Sequence, residues 1–149
     1  FDAGTRVPFI VRWPGHVAAG KSNALFSQID LFASLVAYAG GEMPSGGGPD
    51  SRNALDELLG SSKKNREFVV EHSVTGTLSI IKDGWKYIEP HGGPRINTNT
   101  NIELGNDPRP QLYHLTEDIA ERNNLAGEYP GMVAELSALL DEVRNPGMR

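Results

Sequence analysis

The chain opens on a turn-like Asp2-Ala-Gly4, and from Val7 to Trp13 apolar residues then run almost without interruption until Pro14-Gly15. A short apolar run bounded by turn residues predicts a buried strand, Val7–Trp13, of a mixed or parallel sheet. From Ser27 to Ala39 the spacing becomes helical. Ile29, Phe32, Leu35, Val36 and Ala39 form one stripe that Leu31 and Tyr38 widen. Ser27 is placed to cap this helix, Asp30 to favour its first turn, and Gly40-Gly41 to end it. Glu42 to Ser51, with Met-Pro-Ser-Gly-Gly-Gly-Pro at its centre, holds no periodicity and predicts a mobile loop and the best boundary. Asn53 to Gly60 suggests a short helix through Leu55, Leu58 and Leu59, followed by a polar turn from Ser61 to Asn65.

Beyond residue 65 the pattern is one of strands. Phe68–His72 is the first; Leu78–Lys82 and Trp85–Glu89 flank Asp83-Gly84, a strong two-residue hairpin signal. Pro90 to Pro110 is long, polar and without periodicity, so it predicts a loop that is either functional or poorly ordered. Gln111–Leu115 is a fourth strand, and Glu117 to Ala126 a turn-rich connection. Pro130 to Arg144 is the last helix, with Pro130 in its first turn and Val133, Leu136, Leu139, Leu140 and Val143 on one apolar face. The fold class is α+β: a strand and helix first, then a small antiparallel sheet packed by a C-terminal helix.

Composition narrows the function. The 149 residues carry a formal net charge of −5, against the basic surface that phosphate binding needs, so nucleic acid is not an expected partner. No run of about 18 apolar residues is present, so a membrane is not an expected partner either. Cysteine is absent, which removes disulfides and thiolate metal sites. The sequence holds no phosphate-cradling Gly-x-x-x-x-Gly-Lys, no Gly-x-Gly-x-x-Gly and no Gly-x-Ser-x-Gly elbow. His91-Gly-Gly-Pro-Arg95 opens the long loop with two potentially cationic donors suited to an anion; the alternative is a solvated loop. Trp85 and Tyr87 point to the same side of one strand, as core beneath a helix or as a sugar-stacking platform.

Six blocks recur in order: Gly4-Thr-Arg-Val-Pro8 through Trp13-Pro-Gly15; Ser27-Gln-Ile-Asp-Leu-Phe32 with Ala39-Gly40; Asp50-Ser-Arg-Asn53 with Leu59-Gly60; Asp83-Gly-Trp-Lys-Tyr87; Gln111-Leu-Tyr-His-Leu-Thr-Glu-Asp118; and Glu121-Arg-Asn-Asn-Leu-Ala126. Together the chain resembles the C-terminal third of type I sulfatases, arylsulfatase-like members of the alkaline phosphatase superfamily. The resemblance implies that residues 1–45 end a sulfatase α/β catalytic domain and residues 46–149 form its C-terminal subdomain. It implies a parent that hydrolyses sulfate esters of a carbohydrate or aryl alcohol with a formylglycine and a calcium, in the periplasm or outside the cell.

The formylglycine motif Cys/Ser-x-Pro-Ser-Arg and the Asp-Asn-Gly or Asp-His-Gly calcium pairs are missing from this chain. The expectation is therefore no catalytic residue and no metal ligand here, with the nucleophile and most ligands upstream of Phe1, and no activity for the chain alone. His72, at the end of its strand, would donate to sugar or sulfate, or be an ordinary strand-end histidine. His91 and Arg95 complete the set of substrate-binding candidates. An oligomer through an exposed Val7–Ala39 face is a further expectation. Two other functions fit the same residues: a stand-alone carbohydrate-binding module using Trp85, His91 and the Asn97/Asn99/Asn101 loop, or the C-terminal part of a related phosphodiesterase or phosphonate hydrolase.

Overall fold

The computed structural model describes residues 5–63 and 66–145; Asp2-Ala-Gly4 and the Lys64-Asn65 end of the polar turn lie outside the described residues. The chain divides into two compact units, Pro8–Val69 and Val70–Arg149 with Phe1–Val7.

In the first unit, α1 (Asp30–Tyr38) packs on α2 (Leu55–Leu59). α1 begins later than the expected Ser27, because Ser27 does not cap it with its hydroxyl. Instead the Ser27 N–H donates to the Asp30 carboxylate at 3.2 Å. Gly40, at φ 72°, closes the helix: its N–H reaches the Ala37 carbonyl and that of Gly41 the Val36 carbonyl, the pairing of a Schellman end. The buried face of α1 is also not the expected apolar stripe. Asp30, Ala33 and Ser34 are buried, while Ile29, Phe32, Leu35 and Tyr38 are exposed.

The buried polar face has a reason. Asp30 accepts the Arg52 N–H at 2.9 Å and pairs with the Arg66 guanidinium, whose other nitrogens reach the carbonyls of Asp50 at 3.1 Å and Phe68 at 3.1 Å. Ser34 donates to the Asp30 carbonyl and accepts the Ala54 N–H at 2.9 Å; Ser51 bridges the Ile29 carbonyl and the Ala33 N–H. The loop from Glu42 to Asn53 is thereby stitched to α1. α2 is shorter than expected, opened by the Asn53 side chain accepting the Leu55 N–H and stopped by Gly60 at φ 78°.

Val7–Trp13 is not a strand. A strand needs a neighbour for its backbone N–H and C=O groups, and among the described residues none is paired with this segment. Phe9, Ile10 and Val11 are exposed, with Phe9 resting against Phe26 at 4.9 Å between ring centres.

The second unit follows the predicted strands closely. β1 (Phe68–His72), which starts in the first unit, β2 (Leu78–Lys82), β3 (Trp85–Ile88) and β6 (Gln111–His114) form one sheet in the order β1-β2-β3-β6. Asp83 at φ 49° and Gly84 at φ 82° make the primed turn that joins β2 to β3 antiparallel, with Lys82 opposite Trp85. β3 and β6 are also antiparallel neighbours, with Ile88 opposite Gln111. Between them the expected structureless loop carries a small hairpin instead, β4 (Ile96–Asn97) and β5 (Ile102–Glu103). Strands of two residues are too short to register as periodicity.

Opposed residues of antiparallel strands share a face. Ile80, Tyr87 and Leu112 line one face, and α3 (Pro130–Arg144) covers it with Leu136 and Leu140, 1% and 2% exposed. At its margin Trp85 stacks on Tyr129 and His114, so it is half-buried rather than central. Lys82 pairs with Glu135 at 3.0 Å and Arg144 with Glu89. The other face carries Ser79, Ile81, Lys86, Ile88, Gln111 and Tyr113. There the Tyr113 hydroxyl donates to Gln111 at 2.9 Å, and burial, then the nearby Glu121 carboxylate, push the phenol up to about 12.

Truncating Leu140→Ala should cost about 2–5 kcal/mol in denaturant unfolding of the chain, because the site lies under a sheet that cannot collapse. Asp30→Ala should cost about 3 kcal/mol or more, since it leaves the Arg66 charge and the Arg52 and Ser27 N–H groups without their acceptor. A neutral Tyr113 in the folded state means the fold holds a proton that the unfolded chain releases near pH 10. Its contribution is thus intact below about pH 10 and lost as pH climbs toward about 12. Tyr113→Phe should flatten that alkaline limb in a pH series of melting temperatures.

Candidate functional site

The polar face of the sheet opens into a cleft of about 60 Å³ lined by Glu71, His72, Ser73, Thr77, Ser79 and Lys86, among others. Lys86 arrives there because alternation on β3 sends it away from Trp85 and Tyr87, and its side chain is 1% exposed. An ammonium so placed needs carboxylates. Glu71 of β1 lies at 3.0 Å and Glu121 at 3.4 Å, their side chains 12% and 2% exposed. Ser79 of β2 donates to the same Glu71 oxygen at 3.0 Å. The centre of the cleft is therefore one cation set against two acids.

The rim is organised by Asn106, which is 1% exposed. Its Nδ2 donates to the Pro94 carbonyl at 2.9 Å, and its Oδ1 accepts from the Thr77 hydroxyl at 3.0 Å. The carbonyl can only accept, which fixes the orientation of the amide. Asn106 thus links the turn between β1 and β2 to the segment that holds His91 and Arg95. In that turn the Ser73 hydroxyl accepts the N–H groups of Thr75 and Thr77. Gly93 has no space for a side chain, since a Cβ there would lie 2.8 Å from His91 and 2.9 Å from Asn106.

Of the sequence-predicted residues, His72 is among those lining the cleft and is exposed. His91 and Arg95 do not line it. His91 accepts the Gly93 N–H through Nδ1 at 3.1 Å and is held by its own N–H on the Asp107 carbonyl. Arg95 is exposed and pairs with Glu103 across the β4–β5 hairpin at 3.5 Å. Nearby, Asp107 is held below the usual carboxylate range by its hydrogen bonds from Arg109. Sequence reasoning missed Lys86, Glu71, Glu121 and Asn106. A lysine between Trp85 and Tyr87 in a predicted strand was the available signal.

Among the described residues no group of three or more His, Cys, Asp or Glu is placed to hold a metal ion. Among the described residues, Glu71 and Glu121 are already committed to Lys86 and do not fit a calcium site, and the sequence holds no formylglycine precursor motif.

A sulfatase family model matches residues 1–41. The chain is 50% identical over 144 residues to an N-acetylgalactosamine-6-O-sulfatase of Bacteroides thetaiotaomicron, covering 97% of the chain and 28% of that protein. It is 26% identical over 158 residues to arylsulfatase A of Homo sapiens, covering 97% of the chain and 31% of that protein. A solved Bacteroides thetaiotaomicron 6S-sulf structure, from work on the metabolism of multiple glycosaminoglycans, superposes with a TM-score of 0.91 at 51% identity, over 95% of this chain and 30% of that one. A solved 2-O GAG sulfatase aligns with a TM-score of 0.53 at 26% identity, over 79% of this chain and 25% of its own. The chain thus spans 28% to 31% of the length of these curated relatives. In sequence and in its mixed helix-and-sheet fold, the chain matches the C-terminal part of sulfatases.

Proposed function

We propose that this chain forms the substrate rim of a sulfuric ester hydrolase that acts on a sulfated carbohydrate, with aryl sulfates as simpler substrates. The observation that carries this is the 50% identity, along nearly the whole chain, to a protein named N-acetylgalactosamine-6-O-sulfatase. The cleft adds a physical basis. His72 is exposed among its lining residues, where an imidazole can donate to a saccharide or to its sulfate. His91 and Arg95 stand outside the cleft on the segment that Asn106 anchors and would meet a more distant part of an anionic substrate.

The chain's share of the work is to bind and orient. Nucleophilic attack at sulfur needs a formylglycine and the calcium that draws charge from the sulfate oxygens, and both belong to residues that this sequence does not hold. Rim contacts of this kind bind the ground state and the transition state about equally, so they act on KM more than on kcat.

Two measurements test the proposal. The chain by itself should leave 4-nitrophenyl sulfate unhydrolysed with or without added calcium; turnover in contaminant-free protein would overturn it. In the full-length enzyme that carries this segment, His72→Ala, His91→Ala and Arg95→Ala should each raise KM for a sulfated saccharide about three- to thirtyfold with kcat nearly unchanged. Steady-state constants unchanged in all three variants would return these side chains to solvated surface.

A further inference from the structure

We infer that the cleft beside Lys86 accepts a neutral hydrogen-bond donor of the saccharide, a ring hydroxyl or an amide N–H, and not the sulfate group. The inference rests on the rim function proposed above and specifies what the cleft selects. It follows from where the protons of the cleft already point. The Ser79 hydroxyl gives its hydrogen to Glu71 at 3.0 Å, and the Thr77 hydroxyl gives its hydrogen to Asn106 at 3.0 Å. Asn106 cannot turn over to receive Thr77 differently, because its Nδ2 is committed to the Pro94 carbonyl at 2.9 Å. Both hydroxyls therefore present lone pairs, and Glu71 adds carboxylate oxygens on the same wall.

Charge points the same way. The single ammonium, Lys86, is matched by Glu71 at 3.0 Å and Glu121 at 3.4 Å, so the cluster offers an incoming anion no surplus positive charge. A sulfate ester has only acceptors, and beside Lys86 it would meet the Ser79 and Thr77 lone pairs and the Glu71 carboxylate. A hydroxyl or amide N–H would meet the partners it lacks. The volume, about 60 Å³, has room for a small group.

The test uses the full-length enzyme with Ser79→Ala, Thr77→Val and Thr77→Ser. Three quantities are read: KM for a sulfated saccharide, KM for 4-nitrophenyl sulfate, which has no sugar hydroxyl or amide, and the inhibition constant of inorganic sulfate. Ser79→Ala and Thr77→Val should raise KM for the saccharide about three- to tenfold, the worth of one hydrogen bond, and leave the other two within about twofold. Thr77→Ser keeps the hydroxyl and should restore the wild-type KM. A loss that disappears with a de-N-acetylated sulfated hexosamine assigns the amide; a loss that persists assigns a hydroxyl.

A parallel rise in the sulfate inhibition constant and the aryl sulfate KM would overturn the inference, since the cleft would then hold the anion. Unchanged constants in folded Thr77→Val and Ser79→Ala would overturn it as well. The His91 and Arg95 variants decide the rim function independently of these outcomes. If Ser79→Ala fails to fold, the Thr77 pair alone carries the test.

Discussion

Lys86 places an ammonium where water hardly reaches, and much of the second unit is arranged around that fact. An isolated charge there would cost several kcal/mol, so the chain must bring carboxylates from elsewhere. Glu71 comes from β1, and Glu121 from the segment after β6. Glu121 reaches the position only by adopting φ 52°, a left-handed conformation unusual for a glutamate. The Asp118 carboxylate supports that turn by accepting the N–H groups of Arg122 and Asn123 at 2.7 Å each. Strain at one residue is thus offset by capping beside it, and the result joins an edge strand, a central strand and a distant turn. Replacing Lys86 alone leaves two buried acids without their cation, whereas replacing either acid leaves one ion pair.

A second polar core plays the same part in the other unit. Asp30 and Ser34 face inward and gather the Asp50–Ala54 loop and Arg66, which leaves Phe32, Leu35 and Tyr38 on the outer face of α1. Specificity of folding here comes from directional hydrogen bonds and not from apolar burial. The exposed apolar side chains from Val7 to Tyr38 all fall within the stretch that the sulfatase family model matches.

The second unit was far more legible in sequence than the first. β1, β2 and α3 stand where alternation, the Asp83-Gly84 turn and the helical stripe put them, and Pro130 opens α3 as its position predicted. Those signals are local: a two-residue turn fixes register, and a stripe fixes a face. Val7–Trp13 failed because strand identity is a property of pairing, and hydrophobicity alone does not supply a partner. α1 failed at the level of its face, since Asp30 read as a first-turn acid, and its burial with Ser34 comes from partners far along the chain, Arg66 for Asp30 and Ala54 for Ser34. The candidate site was legible only in part. His72 is at the cleft, but its chemistry depends on Lys86, Glu71, Thr77 and Asn106, whose roles come from which groups donate to which. Such directions are not encoded in spacing.

The pairing of β3 with β6 has a consequence for how such a chain can diversify. Ile88 and Gln111 lie opposite each other, so the excursion that holds the β4–β5 hairpin leaves the sheet and returns to it at adjacent points. Its ends are clamped by the ladder, whatever lies between. Lengthening it costs only about 0.6 kcal/mol of closure entropy per doubling, and the register of the strands does not change. The excursion is therefore a cassette: a graft from one relative to another can replace its outer contacts wholesale, provided the graft keeps an amide at Asn106 to lock it and a glycine at Gly93 to let it seat.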